Sequence, residues 1–184
     1  MTSASDREQE FERLALPLLD PLFNFARWLT HDTAEAQDLV QETFAKALRG
    51  FGSFVPGTDF RAWMFRILRN TFLTSRTGLQ AKLTVPLDPD DDLLATVTWE
   101  TPESLALVSA TRDALQAALE ALPVHYREVV LLCDVEEMKY AETAEVLGVP
   151  IGTVMSRLAR GRKALRQILA DDKAATGGKL DSTR

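Results

Sequence analysis

Hydrophobic residues recur every three or four positions through most of this chain, a spacing that predicts helices rather than strands. The first helical segment covers residues 8–30, and Pro17 and Pro21 should kink or split it because proline lacks the backbone donor that a helix needs. The next helix follows Asp32, a candidate N-cap, with Glu35 at the spacing of a capping box. The predicted apolar face of this helix contains Leu39, Val40, Phe44, Ala47 and Leu48.

A third helix follows a loop at residues 52–59, in which Pro56 and Gly57 interrupt the helical pattern. Asp59 can cap this helix, because its side chain can accept a hydrogen bond from the first turn. The predicted apolar face contains Phe60, Met64, Ile67, Leu68 and Phe72. Together these segments predict a helical domain at residues 8–80.

The helical periodicity stops at residues 81–101, which contain two prolines and the acidic run DPDDD. We interpret this segment as a linker, because proline and repeated like charge both oppose helix formation. Helical spacing then returns, with Thr101 as a candidate N-cap, Pro102 in the first turn and Pro123 opening a further helix.

The predicted fold is therefore all-α. Two small helical domains, at residues 8–80 and 102–170, are joined by the acidic linker and followed by a disordered tail at residues 171–184.

The segment 140–165 has the form of a helix-turn-helix. Gly148 should end the first helix in a left-handed conformation, and Pro150 leads into the second. The expected buried stripe of the second helix contains Ile151, Val154, Leu158, Gly161 and Leu165. Helical spacing at 100° per residue places Thr153, Ser156, Arg160, Lys163 and Gln167 outward, with Met155 and Arg157 at the edges. Hydroxyl and basic side chains on an outward face are what a major-groove reader requires.

The formal net charge is −6, yet the charges are segregated along the chain. Residues 60–87 and 148–166 each contain five basic residues and no acidic one, whereas residues 84–104 contain six acidic residues and no basic one. This distribution indicates contact with a polyanion at two places. The alternative is that each charged run is simply a solvated face.

Composition narrows the possible chemistry. The single cysteine, Cys133, excludes an internal disulfide, and two histidines with one cysteine suggest no metal cluster. No signal peptide or membrane-spanning run is visible, so we expect a cytoplasmic protein. No nucleophile–base pair stands out, so neither an enzyme nor a bound cofactor is expected.

Three motifs, in order, resemble those of one family. The segment "LPVHYREVVLLCDVEEMKYAETAEVLGVPIGTVMSRLARGRKALR" resembles region 4 of the extracytoplasmic-function (ECF) sigma factors of bacterial RNA polymerase. "AQDLVQETFAKAL" resembles region 2.2 of that family, and "FRAWMFRILRN" resembles regions 2.3 and 2.4. The resemblance covers residues 10–170. It implies a transcription initiation factor that binds core polymerase and promoter DNA, with an anti-sigma factor as a further partner and no membrane contact of its own.

The resemblance also implies roles for particular residues. Core polymerase would be bound by Asp38, Leu39, Gln41, Glu42 and Phe44. The −10 element would be bound and opened by Trp63, Arg66, Arg69, Asn70 and Arg76. The −35 element would be read by Thr153, Met155, Ser156, Arg157, Arg160 and Lys163. Some of these positions also suit a structural role: Leu39, Phe44 and Trp63 would fit equally well inside the domain.

Two features depart from the family pattern. Only Arg76 and Lys82 follow "RN", where many members have a dense basic cluster, and Met155 replaces a common lysine or arginine. The segments "RNTF" and "PIGTVMSRL" resemble the redox-responsive subgroup that zinc-binding anti-sigma factors control.

The alternatives to a sigma factor are a helix-turn-helix regulator that acts without polymerase and a protein-binding adaptor.

Overall fold

The computed structural model describes residues 4–77 and 112–177, and within them every regular element is helical. The α-helices are α1 (Ala4–Ala15), α2 (Leu19–Thr30), α3 (Thr33–Gly50), α4 (Phe60–Thr77), α5 (Arg112–Ala121), α6 (Val124–Val130), α7 (Tyr140–Leu147) and α8 (Ile151–Gly177). Short 3₁₀ turns at Leu16–Leu18 and Phe51–Ser53 and a π-helical turn at Leu131–Val135 complete the fold. The predicted linker at 81–101 and the predicted helix start at Thr101 and Pro102 lie outside the described residues.

The helix boundaries follow the local signals of the sequence. The first helical segment breaks at the 3₁₀ turn that contains Pro17, whereas Pro21 lies in the first turn of α2, where its missing donor costs little. The Asp32 carboxylate accepts a hydrogen bond from the Glu35 backbone at 2.8 Å. Asp59 does the same for the Ala62 backbone at 2.9 Å, so both predicted caps are confirmed.

The described residues form two compact units. The first contains the residues up to 77 together with Met138–Ile151, and the second contains residues 112–137 and 152–177. Since α7 belongs to the first unit, it is grouped with α1–α4 rather than with α5 and α6.

Aromatic side chains tie the helices of the first unit together. Phe11 of α1 is 5% exposed, and its ring makes edge contacts with Phe44, Phe51 and Phe60 at centroid distances of 6.4, 5.4 and 6.2 Å. Edge-to-face geometry of this kind stabilises aromatic clusters beyond simple burial. This contact fixes α1 against α3, α4 and the turn between them.

The predicted apolar faces need two corrections. Leu48, assigned to the buried face of α3, is 44% exposed, and Ile151, assigned to the stripe of α8, is 48% exposed. Both lie at the ends of the apolar pattern, where helical spacing alone does not say how far the covering partner extends. Phe65 of α4, outside the predicted face, is fully buried.

Arg127 of α6 holds the end of α5 in the second unit. Its guanidinium donates hydrogen bonds to the carbonyls of Leu119, Glu120 and Leu122 at 2.7–2.8 Å. The last carbonyls of a helix have no partner inside the helix, and this side chain supplies one. Burial lowers the pKa of Arg127 from its ordinary value, and the carboxylates of Glu120 and Glu128 oppose that shift.

Helix α8 approaches α6 closely at Gly161. A Cβ atom placed on Gly161 would lie 3.0 Å from Val130 Cγ2 and 3.4 Å from the Tyr126 carbonyl oxygen. Only glycine allows this approach without displacement of a neighbour.

Helix α8 also continues through Gly177, so the predicted tail at residues 171–184 begins within a helix.

Gly161→Val should lower the free energy of unfolding by about 1–3 kcal/mol, because the added methyl groups overpack the contact with α6. Gly152→Val is the matched control, since Gly152 lies in the same helix and a Cβ there meets no atom within 4 Å. Urea denaturation followed by circular dichroism measures both. Equal stability of the two variants would show that the close approach does not constrain this position.

Candidate functional site

The outward side of α3 is polar. Asp38, Gln41 and Glu42 are exposed, and Glu42 forms an ion pair with Lys46 at 2.7 Å. Leu39, from the same predicted set, is buried at 6% exposure, and Phe44 is half-buried against Phe11. The three polar residues are therefore accessible to a partner, while the two apolar ones pack within the unit.

One side of α4 presents an aromatic and polar surface. Trp63, Arg66 and Asn70 follow the i, i+3, i+7 spacing that places side chains on one side of a helix. Trp63 is half-buried, whereas Arg66 and Asn70 are exposed. Two further rings adjoin the indole, since Phe54 and Phe60 lie 5.4 and 5.5 Å from it, centroid to centroid. Half-exposed rings beside a cation suit the stacking of unpaired bases.

Arg69 and Arg76, which the sequence groups with these residues, lie on another side of α4. Arg69 is 8% exposed, and its Nη1 donates to the Leu147 carbonyl of α7 at 3.1 Å. Arg76 pairs with Glu35 at 3.0 Å and lies over the Phe72 ring. In this structure both side chains are therefore held by the protein itself.

The turn between α7 and α8 has the predicted geometry. A capping interaction starts α7, since the Lys139 backbone donates to the Glu142 carboxylate at 2.9 Å. Gly148 ends the helix at φ 67°, in the left-handed region that favours glycine, and its N–H donates to Ala144 at 2.8 Å. Helix α8 then begins at Ile151, directly after Pro150.

The predicted reading residues of α8 differ in accessibility. Val154, Leu158, Gly161 and Leu165 are buried, as the sequence predicts. Lys163 is exposed, and the half-buried residues are Thr153, Met155, Ser156 and Arg160. Arg157 is 3% exposed, so in this structure it contributes little to the outward surface.

Arg162 is a basic residue of α8 that the sequence does not place outward, and the structure shows how it is held. Its Nε donates to Asp134 Oδ2 at 3.0 Å, and its Nη2 donates to Asp134 Oδ1. Asp134 lies in the π-helical turn that follows α6. The pair joins residues 28 positions apart, a distance at which no local sequence signal operates.

The described ranges contain neither a metal-ligand cluster nor a membrane-spanning helix. Residues 4–77 and 112–177 contain no group of three or more histidine, cysteine or acidic side chains arranged to hold a metal ion. None of the helices in those ranges is long and apolar enough to cross a membrane.

Two family models match the chain in the order that the motifs predict. The model for sigma-70 region 2 matches residues 14–81, and the model for sigma-70 region 4 matches residues 112–165. The first match contains α2–α4, and the second runs from α5 into α8. Each proposed contact surface therefore falls within one of the two matched regions.

Curated relatives carry the family name. The chain is 36% identical over 157 residues to the ECF RNA polymerase sigma factor SigE of Mycolicibacterium smegmatis, a match that covers 85% of this chain and 60% of that protein. It is 33% identical over 160 residues to the ECF RNA polymerase sigma factor EcfG of Rhodopseudomonas palustris, covering 87% of this chain and 85% of the relative.

Two solved structures are also similar to this chain. The sigma factor RpoE of Bartonella quintana, in complex with the anti-sigma factor NepR, matches with a TM-score of 0.68 and 30% identity over 88% of this chain and 98% of that one. CnrH in complex with the cytosolic domain of CnrY matches with a TM-score of 0.65 and 28% identity over 92% and 93% of the two chains. The chain belongs to the ECF sigma factors and is an alternative sigma factor of bacterial RNA polymerase.

Proposed function

We propose that the chain binds core RNA polymerase through the outward side of α3 and recognises promoters with α4 and α8. Within this scheme, Asp38, Gln41 and Glu42 contact the polymerase, and Leu39 and Phe44 support the helix from inside. The exposure of the three polar residues supports this division. They are exposed because the other side of α3 packs within the first unit.

The polar side of α8, which is exposed at Lys163 and half-exposed at Thr153, Ser156 and Arg160, is the observation that carries the −35 assignment. Thr153, Ser156, Arg160 and Lys163 supply hydroxyl and cationic groups, while the opposite stripe of the helix is buried. Arginine and lysine pair with guanine or with phosphates, and Met155 can contact a thymine methyl group. Arg157 would contribute only after a rearrangement that exposes it.

For the −10 element we propose that Trp63, Arg66 and Asn70 form the accessible part of the site. Trp63, with Phe54 and Phe60, offers rings on which unpaired bases can stack, and Arg66 offers a cation for the phosphates of the single DNA strand. Arg69 can join them only after its hydrogen bond to Leu147 breaks, and Arg76 only after it leaves Glu35. Strand binding by these two arginines therefore requires local rearrangement.

Run-off transcription with core polymerase on a genomic DNA pool tests the proposed function. The chain should direct core polymerase to a discrete set of start sites that share −10 and −35 sequences. Promoter-specific binding by the chain alone, with no dependence on core polymerase, would instead identify a polymerase-independent helix-turn-helix regulator. The selected promoters then serve as the DNA for the variant experiments below.

Arg160→Ala should weaken promoter binding by the holoenzyme. The expected cost is about 1–3 kcal/mol if Arg160 reads a base, or a salt slope lower by about one if it pairs with a phosphate. Filter binding across a salt series measures both quantities, and Arg166→Ala, an exposed arginine on another side of α8, is the control. If Arg160→Ala matches the wild type in affinity and salt slope, the −35 assignment of Arg160 is wrong.

We further propose that an anti-sigma factor controls this chain in the cytoplasm, where sigma factors act. The similar sigma factor RpoE was solved in complex with the anti-sigma factor NepR, and the similar chain CnrH was solved in complex with the cytosolic domain of CnrY. The finer proposal, a zinc-binding anti-sigma factor of the redox-responsive subgroup, rests on the motifs "RNTF" and "PIGTVMSRL". Co-purification from the native cell, followed by metal analysis of the partner, tests both.

A further inference from the structure

Two side chains approach the short turn between α3 and α4. A Cβ atom on Gly50 would lie 3.8 Å from the indole of Trp63, and a Cβ atom on Gly52 would lie 3.4 Å from Nη1 of Arg7. The Cα atoms of residues two apart are separated by at most about 7.6 Å. The Arg7 guanidinium and the Trp63 ring therefore border the same 3₁₀ turn.

The position of Arg7 follows from the packing of α1. Phe11, one helical turn further along, anchors α1 in the aromatic cluster with Phe51 and Phe60. Side chains four residues apart share a side of a helix, so the Phe11 contact directs Arg7 toward the turn. The ring of Phe51 is stacked on Phe54 at 6.1 Å, and Phe54 in turn contacts Trp63. A continuous row of rings thus runs from the α1 anchor to the accessible side of α4.

Arg7 is an exposed cation beside this row. Among the described residues it has no ion-pair partner, although α1 carries several acidic side chains. A guanidinium that has no ion pair within the described part of the chain, together with the half-exposed rings of Phe54 and Trp63, provides the two components of a single-strand site, namely phosphate pairing and base stacking. It also adds a cation to a chain whose α4 is followed by few basic residues.

We propose that Arg7 is a further binding residue of the −10 site and pairs with a backbone phosphate of the melted strand whose bases stack near Phe54 and Trp63. This inference rests on the proposed recognition of the −10 element by α4 and extends that site to α1. The ligand is the sugar–phosphate backbone, so Arg7 should contribute affinity without base preference.

The test uses the reconstituted holoenzyme and a fork-junction DNA from a selected promoter, with the −10 segment single-stranded. Arg7→Ala should weaken binding about two- to fivefold, as expected for an exposed ion pair, and reduce the salt slope by about 0.7. Arg7→Lys should restore the slope, because it keeps the charge. Arg13→Ala, an exposed arginine on another side of α1, should behave as the wild type.

Neutral methylphosphonate groups, placed one at a time in the single-stranded segment, locate the contact. The wild type should lose affinity at one position, and Arg7→Ala should show no further loss there. The inference is wrong if Arg7→Ala weakens binding with an unchanged salt slope. It is also wrong if each methylphosphonate group weakens binding of Arg7→Ala as much as it weakens binding of the wild type. In either case Arg7 acts only on the turn between α3 and α4. If the wild-type holoenzyme itself does not bind the DNA, the proposed function fails as well.

Discussion

Arg127→Met should be among the most destabilising single substitutions in the second unit, lowering the free energy of unfolding by about 2–4 kcal/mol. Methionine retains the apolar stem, so the loss isolates the guanidinium. Without it, the carbonyls of Leu119, Glu120 and Leu122 lose their charge-assisted partner at the end of α5. Leu119 and Leu122 are buried, which keeps water from fully replacing that partner at their carbonyls.

Urea denaturation followed by circular dichroism measures this effect. Arg166→Met is the matched control, because it makes the same chemical change at an exposed position of α8 and should cost less than about 0.5 kcal/mol. Arg127→Lys should recover only part of the loss, since an ammonium group lacks the planar fork that reaches all three carbonyls. If Arg127→Met costs no more than Arg166→Met, Arg127 does not stabilise the end of α5.

Gln41→Ala/Glu42→Lys should abolish co-purification with core polymerase, raising the Kd about a hundredfold or more. The double substitution removes an exposed amide and reverses an exposed charge at the proposed interface, and a misplaced charge costs several kcal/mol in a protein–protein contact. Loss of the Glu42–Lys46 ion pair should cost the fold only a few tenths of a kcal/mol. The variant should therefore keep the far-ultraviolet circular dichroism of the wild type.

Asp20→Lys/Asn24→Ala is the matched control for this experiment. It reverses one acidic residue and removes one amide on the exposed surface of α2, with the same change in net charge. Normal core binding by this control, together with loss of binding by the α3 variant, assigns the contact to α3. Equal binding of core polymerase by both double variants would rule out the outward side of α3 as the docking surface.

The parts of the site that the sequence predicts well depend on neighbouring residues. Asp32 and Asp59 cap their helices because each carboxylate needs only the backbone three residues further on. Gly148 ends α7 because the left-handed conformation favours glycine. The outward position of Lys163 and the burial of Val154 follow from the 100° period of one helix. Such features do not depend on which other helices lie nearby.

The exposure and pairing of individual arginines depend on contacts with residues that are distant in the sequence. Arg66 and Arg69 lie in the same motif, yet Arg66 is exposed while Arg69 is buried against the Leu147 carbonyl, 78 positions away. Arg162 is held by Asp134 and Arg127 by the end of α5. A guanidinium is long and carries five donors, so its final partner depends on which carbonyls and carboxylates the fold brings within reach.

The sequence by itself determined the helical class and the caps and turns, because each of these depends on short-range spacing. The order of the sigma regions followed from the resemblance of three sequence motifs to one family. Only the tertiary structure decided that Leu48 and Ile151 face outward, that Gly161 is a close-approach point and that Arg7 borders the turn before α4. Burial and approach depend on surfaces contributed by distant segments, and those surfaces exist only once the chain has packed.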